Sequence, residues 1–399
     1  MTPQQLLSPL QRRVLQLLLK RGPLPRKRVS EQLGASRSRL SPEIAQLIKQ
    51  AVVREADAPL STGGRRGAWL YLGGADFGAF CGVDIDADRV AIALLYFDGT
   101  VVSQASFVIN QESQPIETMR EICDLLAAKL RDTGLTARSV GVAIAADADY
   151  RGRIYDIPPT LPRWRDIEVG GFFSERLGVP TYVDNDVNIL AEAEGMHGTV
   201  ASRYENYAVV KISSGVGCGL ISNGRLVRGV DGHAGDIGHV CIDPANDSPC
   251  ACGNAGCLEA VVSSPALIRQ ALEIARQGRS NVLTQLMTDG TLTHDSISSA
   301  AKHGDPETVM LLRNAGRHVG YALAGLVAIF NPAAIFISTG IAGAEDIVLS
   351  AIRERVYERA RPAATRRLKI LNSGFLNGDG ALAAAIFASG RLVAAPGIH

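Results

Sequence analysis

Apolar positions recur along this chain with two periods, and the architecture changes where the period changes. Residues 7–20 place Leu10, Val14, Leu17 and Leu18 on one helical face, then end in Lys20-Arg21-Gly22, a cationic last turn and a glycine stop. A second short helix fits residues 25–33, and Gly34 supplies the tight turn after it. Ser36 is placed to cap a third helix reaching about Gln50. Pro42 falls inside that helix, where proline removes a hydrogen bond and costs ~3 kcal/mol in an unadapted helix. The third helix therefore either kinks at Pro42 or begins near Ser41. Residues 52–55 and 69–72 read as two strands, with the basic, flexible Ser-Thr-Gly-Gly-Arg-Arg-Gly at 61–67 between them.

From residue 78 the period shortens to that of strands. FCGVDI, a turn at DADR, VAIALLYF, an Asp98-Gly99 turn and VVSQASFV give strand–turn–strand–turn–strand. Residues 207–230 repeat the pattern without repeating the sequence: YAVVKIS as a strand, SGVGCG as a glycine-rich turn, LIS as a short strand, Asn223-Gly224, then RLVRG. Asp-Gly and Asn-Gly are strong hairpin signals. Helical patterns follow each copy, near 265–277, 306–330 and 344–360, with strands at 139–145, 334–338 and 368–371. Residues 183–194 read as a strand end turning into a helix, and 380–389 as a last helix. Two such copies propose two related α/β lobes with a cleft between them.

A length of 399 residues is too long for one small core, so two or three domains are expected. No apolar run approaches the ~20 residues of a membrane span, and the N-terminal stretch lacks a secretory cleavage pattern. Net charge is +1, but it is unevenly spread: residues 1–70 hold 13 Lys/Arg and 4 Asp/Glu, the remainder 28 and 36. A basic head on an acidic body points to a polyanion as partner of the head alone. The order helix, helix-turn-helix, basic loop between strands is that of a winged helix-turn-helix, whose last helix enters the major groove of DNA. Ser36, Arg37, Ser38 and Arg39, at the start of that helix, are the candidate base readers; Arg65 and Arg66 in the wing suit backbone or minor-groove contacts.

Three of the seven cysteines fall within eight residues, Cys250, Cys252 and Cys257, and His239 precedes them. Three thiolates and an imidazole make a closed tetrahedral set of the structural zinc type. Clustered metal-type cysteines indicate a reducing cytoplasm rather than a disulfide framework. Cys81, Cys123, Cys218 and Cys241 are read as buried, unpaired thiols.

Gly-x-x-Gly-His followed by Cys-x-Cys-Gly-x-x-Gly-Cys-x-Glu resembles the signature of the ROK family of repressors, open reading frames and kinases. The resemblance implies an actin-like two-lobed sugar kinase fold, here with the winged head in front: residues 1–75 as DNA-binding domain, 78–195 as first lobe with a helix at 379–390 packing back on it, and 196–378 as second lobe. It also implies a sugar held by Asn185, Asp186, Asp236, His239 and Glu259, with Asp186 as general base in a kinase. Asp236 stands where the family has glutamate. Family kinases resemble Asp-x-Gly-Gly-Thr at the first phosphate loop, whereas this chain has Asp84 followed by Asp86-Ala87-Asp88-Arg89. Like charges about 4 Å apart cost on the order of 4 kcal/mol at an effective dielectric of 20, which disfavours phosphate there. The second loop, residues 213–219, departs from Gly-Thr-Gly. Ser338-Thr339-Gly340 replaces a double glycine, and Ala145-Ala146 a Pro-Gly. With the sugar side kept and the nucleotide side altered, the expectation is a sugar-responsive repressor and not an enzyme. Its expected partners are operator DNA and a sugar or sugar phosphate, acting on a homodimer or homotetramer. An active sugar kinase that also binds DNA, and a sensor controlled chiefly by a protein partner, are the competing readings.

Overall fold

The Ser8 hydroxyl accepts from the Gln11 N–H and the Gln11 side chain accepts from the Ser8 N–H, a capping box that starts α1 (Pro9–Arg21). The computed structural model describes residues 7–57, 68–87, 89–110, 113–148, 154–156, 161, 163–243, 248–340, 343–375 and 379–394. Two compact units emerge, residues 1–203 with 380–399, and residues 204–379.

In the first unit α1 is followed by β1 (Leu24–Pro25), α2 (Arg26–Leu33), α3 (Arg37–Lys49), β2 (Val53–Ala56) and β3 (Trp69–Leu72). Gly34 ends α2 in the left-handed region, at φ +60°, and Ser36 caps α3 through the Arg39 N–H. The third helix thus begins at Arg37 and continues through Pro42. The sheet order β1-β3-β2 adds a strand not legible beforehand, because β1 has two residues and its proline lacks an N–H. The wing, with Arg65 and Arg66, lies outside the described residues.

Five more strands form the sheet β10-β7-β4-β5-β6: β4 (Ala79–Ile85), β5 (Arg89–Leu95), β6 (Val101–Val108), β7 (Ala137–Ile144) and β10 (Thr181–Asn185). A separate pair, β8 (Asp147–Ala148) and β9 (Ile154–Asp156), lies beside it in sequence. Strands β4 to β6 are antiparallel, while β7 and β10 run parallel to β4 and β7. Helices α4 (Pro115–Thr133), α5 (Val169–Leu177) and α6 (Asp186–Glu194) complete the chain run, and the C-terminal helix Gly380–Ala394 packs on β4 and β7. That contact is backbone to backbone. A Cβ on Gly82 would lie 1.8 Å from the Ala381 carbonyl oxygen, and one on Gly141 1.9 Å from that of Ala384.

The head shares one apolar core with this sheet. Val14, Leu15 and Leu18 of α1 cluster with Phe80, Phe97, Ala381, Ala385 and Val393. After α6 the chain turns at His197 and Gly198, whose N–H groups donate to the Leu19 and Lys20 carbonyls at the end of α1. The His197 ring is buried against Gly99, and burial pushes its pKa down to about 4, opposed by Asp98. Asp98 itself pairs with Arg54 at 3.3 Å. An unfolded chain takes up this proton near pH 6.5 and the folded chain only near 4. The stability that neutral His197 confers is therefore complete above about pH 6.5 and lost as pH falls toward 4, roughly 2–3 kcal/mol across the window. A His197→Gln chain should show a flatter fall in urea midpoint between pH 7.5 and 5 than the parent. Parallel falls would remove the role.

The second unit repeats the first sheet's topology. Its order β13-β12-β11-β14-β15 again places three antiparallel strands beside two parallel ones: β11 (Tyr207–Ile212), β12 (Val216–Ser222), β13 (Arg225–Val227), β14 (Ala334–Thr339) and β15 (Lys369–Asn372). Asn223 and Gly224 both take positive φ, 50° and 71°, the pairing a two-residue hairpin needs. Stretch 214–219 is not the turn expected: the chain reverses at 213–215 and Val216 onward is strand. Around it stand α7 (Leu258–Val262), α8 (Ser264–Arg276), α9 (Asn281–Thr288), α10 (His294–Lys302), α11 (Pro306–Phe330), α12 (Glu345–Arg359) and α13 (Pro362–Thr365). No described helix is long and apolar enough to cross a membrane.

Candidate functional site

The loop that carries the site is seated by two glycines. Strand β12 leaves room for backbone rather than side chain: a Cβ on Gly235 would lie 1.7 Å from the Cys218 carbonyl oxygen, and one on Gly238 2.2 Å from that of Val216. The Cys218 N–H donates to the Gly235 carbonyl at 3.0 Å, so the Gly-x-x-Gly-His segment lies on the sheet as backbone. A second knuckle follows, in which the Cys250 N–H donates to Asn254 O and the Gly253 N–H to Cys250 O. Gly253 and Gly256 adopt φ +90° and +73°, values that disfavour a Cβ.

These turns bring His239, Cys250, Cys252 and Cys257 together, with one ligand atom from each lying within 4.8 Å of the others. Cys250 Sγ stands 3.4 Å from His239 Nδ1, and Cys252 Sγ 3.7 Å from Cys257 Sγ. Tetrahedral zinc with Zn–S of ~2.3 Å and Zn–N of ~2.0 Å needs edges of roughly 3.5–3.8 Å, so the set fits a divalent cation of that size. The thiols respond unequally to their setting. The Asn254 backbone amide brings Cys252 down to about 7, while burial, then hydrogen bonding with the neighbouring thiols, pushes Cys257 up to about 12; burial also raises Cys250. Cys81 and Cys218 are buried and pushed to about 12, and Cys123 to about 11. Cys241, expected inside, is instead exposed. Among the described residues its segment forms an isolated bridge with Cys257 and joins neither five-stranded sheet.

His239 faces two ways. With Nδ1 toward the thiols, Nε2 is 3.8 Å from Asp236 Oδ1. Glu259, in the first turn of α7, accepts from the Val216 N–H at 3.0 Å and lies against Gly215. This carboxylate therefore ties the cysteine loop to the tight turn at 213–215, a contact 43 residues apart that no spacing announces.

Asn185 and Asp186 belong to the first unit, Asp236, His239 and Glu259 to the second. Asn185 caps α6, its Oδ1 accepting from the Val187 N–H at 3.1 Å, and the half-buried Asp186 accepts from the same N–H at 2.7 Å. Asn188 is buried and donates to Asp184. In the turn after β4, the Asp86 carboxylate accepts from the Ala87 N–H at 2.7 Å. Asp84 is buried against Gly380, where a Cβ would meet its Oδ2 at 2.2 Å. Asp88 lies outside the described residues.

In the head, Ser36, Arg37, Ser38 and Arg39 are all exposed at the start of α3. The Ser36 hydroxyl is used in the cap and lies 3.0 Å from that of Ser38. Neither arginine pairs with a described carboxylate, whereas Arg26 and Arg54 pair with Glu55 and Asp98.

Two α/β units of one topology, one with a loop of three cysteines and a histidine and the other with a head of three helices and a small sheet, define an actin-like sugar kinase fold extended at its N-terminus. The chain belongs to the ROK family, whose profile matches residues 80–391. It is similar to the xylose repressor of Bacillus spizizenii, 28% identical over 366 residues, covering 91% of this chain and 90% of the relative. It is also similar to the DNA-binding transcriptional dual regulator NagC of Escherichia coli, 29% identical over 367 residues, 90% and 87%. Among solved structures, a ROK family transcriptional regulator, a homologue of the E. coli MLC protein, shares the fold at TM-score 0.77 and 24% identity, with 96% of each chain covered.

Proposed function

We propose that this chain is a sugar-responsive DNA-binding transcriptional regulator, a repressor of carbohydrate uptake or catabolism genes acting in the cytoplasm. The observation that carries the reading is the head: a helix-turn-helix whose third helix presents Arg37 and Arg39 to solvent at its N-terminal end, built into the same core as a ROK body. The repressor and regulator matches extend over more residues than the segment 80–391, in keeping with a shared head. A structural zinc on His239, Cys250, Cys252 and Cys257 would hold His239 with Nε2 turned toward Asp236, an arrangement in which the metal orients the sugar loop. Asn185, Asp186, Asp236, His239 and Glu259 would bind the sugar or sugar phosphate. Catalysis is not part of this reading: the Asp86 carboxylate, which accepts from the Ala87 N–H, stands where the ROK kinases resemble Asp-x-Gly-Gly-Thr. A homodimer or homotetramer would place two heads on a pseudo-palindromic operator.

DNA selected from a random library by the full chain provides the test. Arg37→Ala or Arg39→Ala should weaken binding to the selected sequence by about 5- to 150-fold, the worth of a lost guanine contact, and relax base preference there. Across a panel of monosaccharides and their phosphates, one should shift affinity for that DNA by a similar factor. Unchanged binding by both variants, or no selected consensus, would overturn the reading.

A further inference from the structure

Cys241 stands directly opposite Cys257 in an antiparallel bridge, and the flanking bonds define which kind of pair it is. The Ile242 N–H donates to Gly256 O at 2.9 Å and the Leu258 N–H to Val240 O at 3.0 Å, so Cys241 and Cys257 form a non-hydrogen-bonded pair. Such pairs hold their Cα atoms about 4.5 Å apart with both side chains on one face, inside the ~4.4–6.8 Å range a disulfide spans. Cys257 is one of the four metal-ligand candidates, while Cys241 is outside that set and exposed. We propose that Cys241 and Cys257 form a peroxide-sensitive pair whose disulfide removes one ligand from the metal site, so that oxidation releases the ion.

The two fates of the Cys257 sulfur exclude each other. As a thiolate it can ligate the cation; bonded to Cys241 it has no charge to offer. The exposed Cys241 thiolate attacks one oxygen of hydrogen peroxide, breaking the O–O bond to give a sulfenic acid and hydroxide, which takes a proton to become water. The Cys257 thiolate then attacks the Cys241 sulfur, breaking its S–O bond and releasing the second oxygen as water. Two thiols are oxidised to one disulfide and one peroxide is reduced to two waters. The reaction begins at a thiol the metal does not occupy, and the backbone pair is already spaced for the bond. A Cys252–Cys257 link is the alternative, since those sulfurs lie 3.7 Å apart. Both of them, however, would be committed to the ion.

The inference rests on the metal reading above, and the experiment separates the two. The full chain, purified and assayed for zinc, is treated with hydrogen peroxide while zinc release is followed with a chromophoric chelator. Thiols are then alkylated under denaturing conditions without reduction. Cleavage before Asp243 and Asp247 parts Cys241 from the other three cysteines, so a linked peptide identifies its bond, and fragmentation between Cys252 and Cys257 locates the partner. The expected results are about one zinc released per chain, a Cys241–Cys257 link, reversal by dithiothreitol, and at least tenfold slower release from a Cys241→Ser chain that still binds zinc. Release at the parent rate from Cys241→Ser, or links confined to Cys250, Cys252 and Cys257, overturns the proposal. A chain that holds no zinc overturns the metal reading instead, and the linked peptide then decides whether the cysteine pair stands.

Discussion

A Gly141→Val chain is expected to lose more than about 3 kcal/mol of stability in its first unit. The C-terminal helix meets β7 with nothing between the backbones: a Cβ at this position would sit 1.9 Å from the Ala384 carbonyl oxygen, and Gly82 on β4 faces Ala381 in the same way. A flexible side chain can turn aside from a new atom; a helix carbonyl cannot unless the helix moves. Moving it separates Ala381 and Ala385 from Leu15, Leu18 and Phe80, so the head's core opens with it. Overpacking ordinarily costs ~1–3 kcal/mol, and a clash against backbone belongs at or beyond the top of that range. Both tryptophans, Trp69 and Trp164, lie in residues 1–203, so fluorescence reads this unit while circular dichroism reads both. Urea titration of the variant should show the fluorescence midpoint falling well ahead of the second unit's transition. An unshifted midpoint would mean that the helix does not seat on Gly141.

The second large effect concerns the metal. About one zinc per chain is expected, and its affinity should fall on the order of 10⁴-fold between pH 8 and pH 6. Cys250 and Cys257 both have pKa values raised above the ordinary thiol value, so each still carries its proton across that range when the ion is absent. Binding must displace both, and every displaced proton weakens affinity tenfold per pH unit as pH falls. Cys252, held near 7, adds a smaller share. Competition against a chelator of known pH dependence, with elemental analysis of the recovered chain, measures this directly. Cys257→Ala should bring zinc content close to zero. Stoichiometric zinc retained by that variant would show that the ion sits elsewhere.

Much of this was written locally in the chain. Gly22, Gly34 and Ser36 bound the head's helices through contacts with residues a few positions away, so these boundaries could be read from the sequence, whereas the Ser8 cap of the first helix emerges only in the structure. The Cys-x-Cys-Gly-x-x-Gly-Cys spacing likewise contains its own turns. What was not legible depends on distant partners. Stretch 214–219 looks like a turn because glycines at 215, 217 and 219 are counted as breakers; it is mostly strand, with Gly235 and Gly238 lying close against its backbone. Residue type alone places Cys241 in the interior; its exposure goes with a segment that, among the described residues, pairs through an isolated bridge. Asn185 does act as a helix cap, the simplest meaning of its dipeptide, and any sugar contact is additional to that duty.

The C-terminal helix also sets the order in which the chain can mature. The second unit is one uninterrupted run, residues 204–379, whereas the first is completed only by residues 380–399. At a synthesis rate of ~5–20 residues per second, the head and its sheet wait roughly 10–35 s on the ribosome with Gly82 and Gly141 uncovered while the later unit is made and folds. A message truncated anywhere before residue 380 would therefore yield a chain whose head lacks part of its core. Such fragments should be cleared by proteases, so that a stable head awaits synthesis of the helix carrying Ala381, Ala385 and Val393.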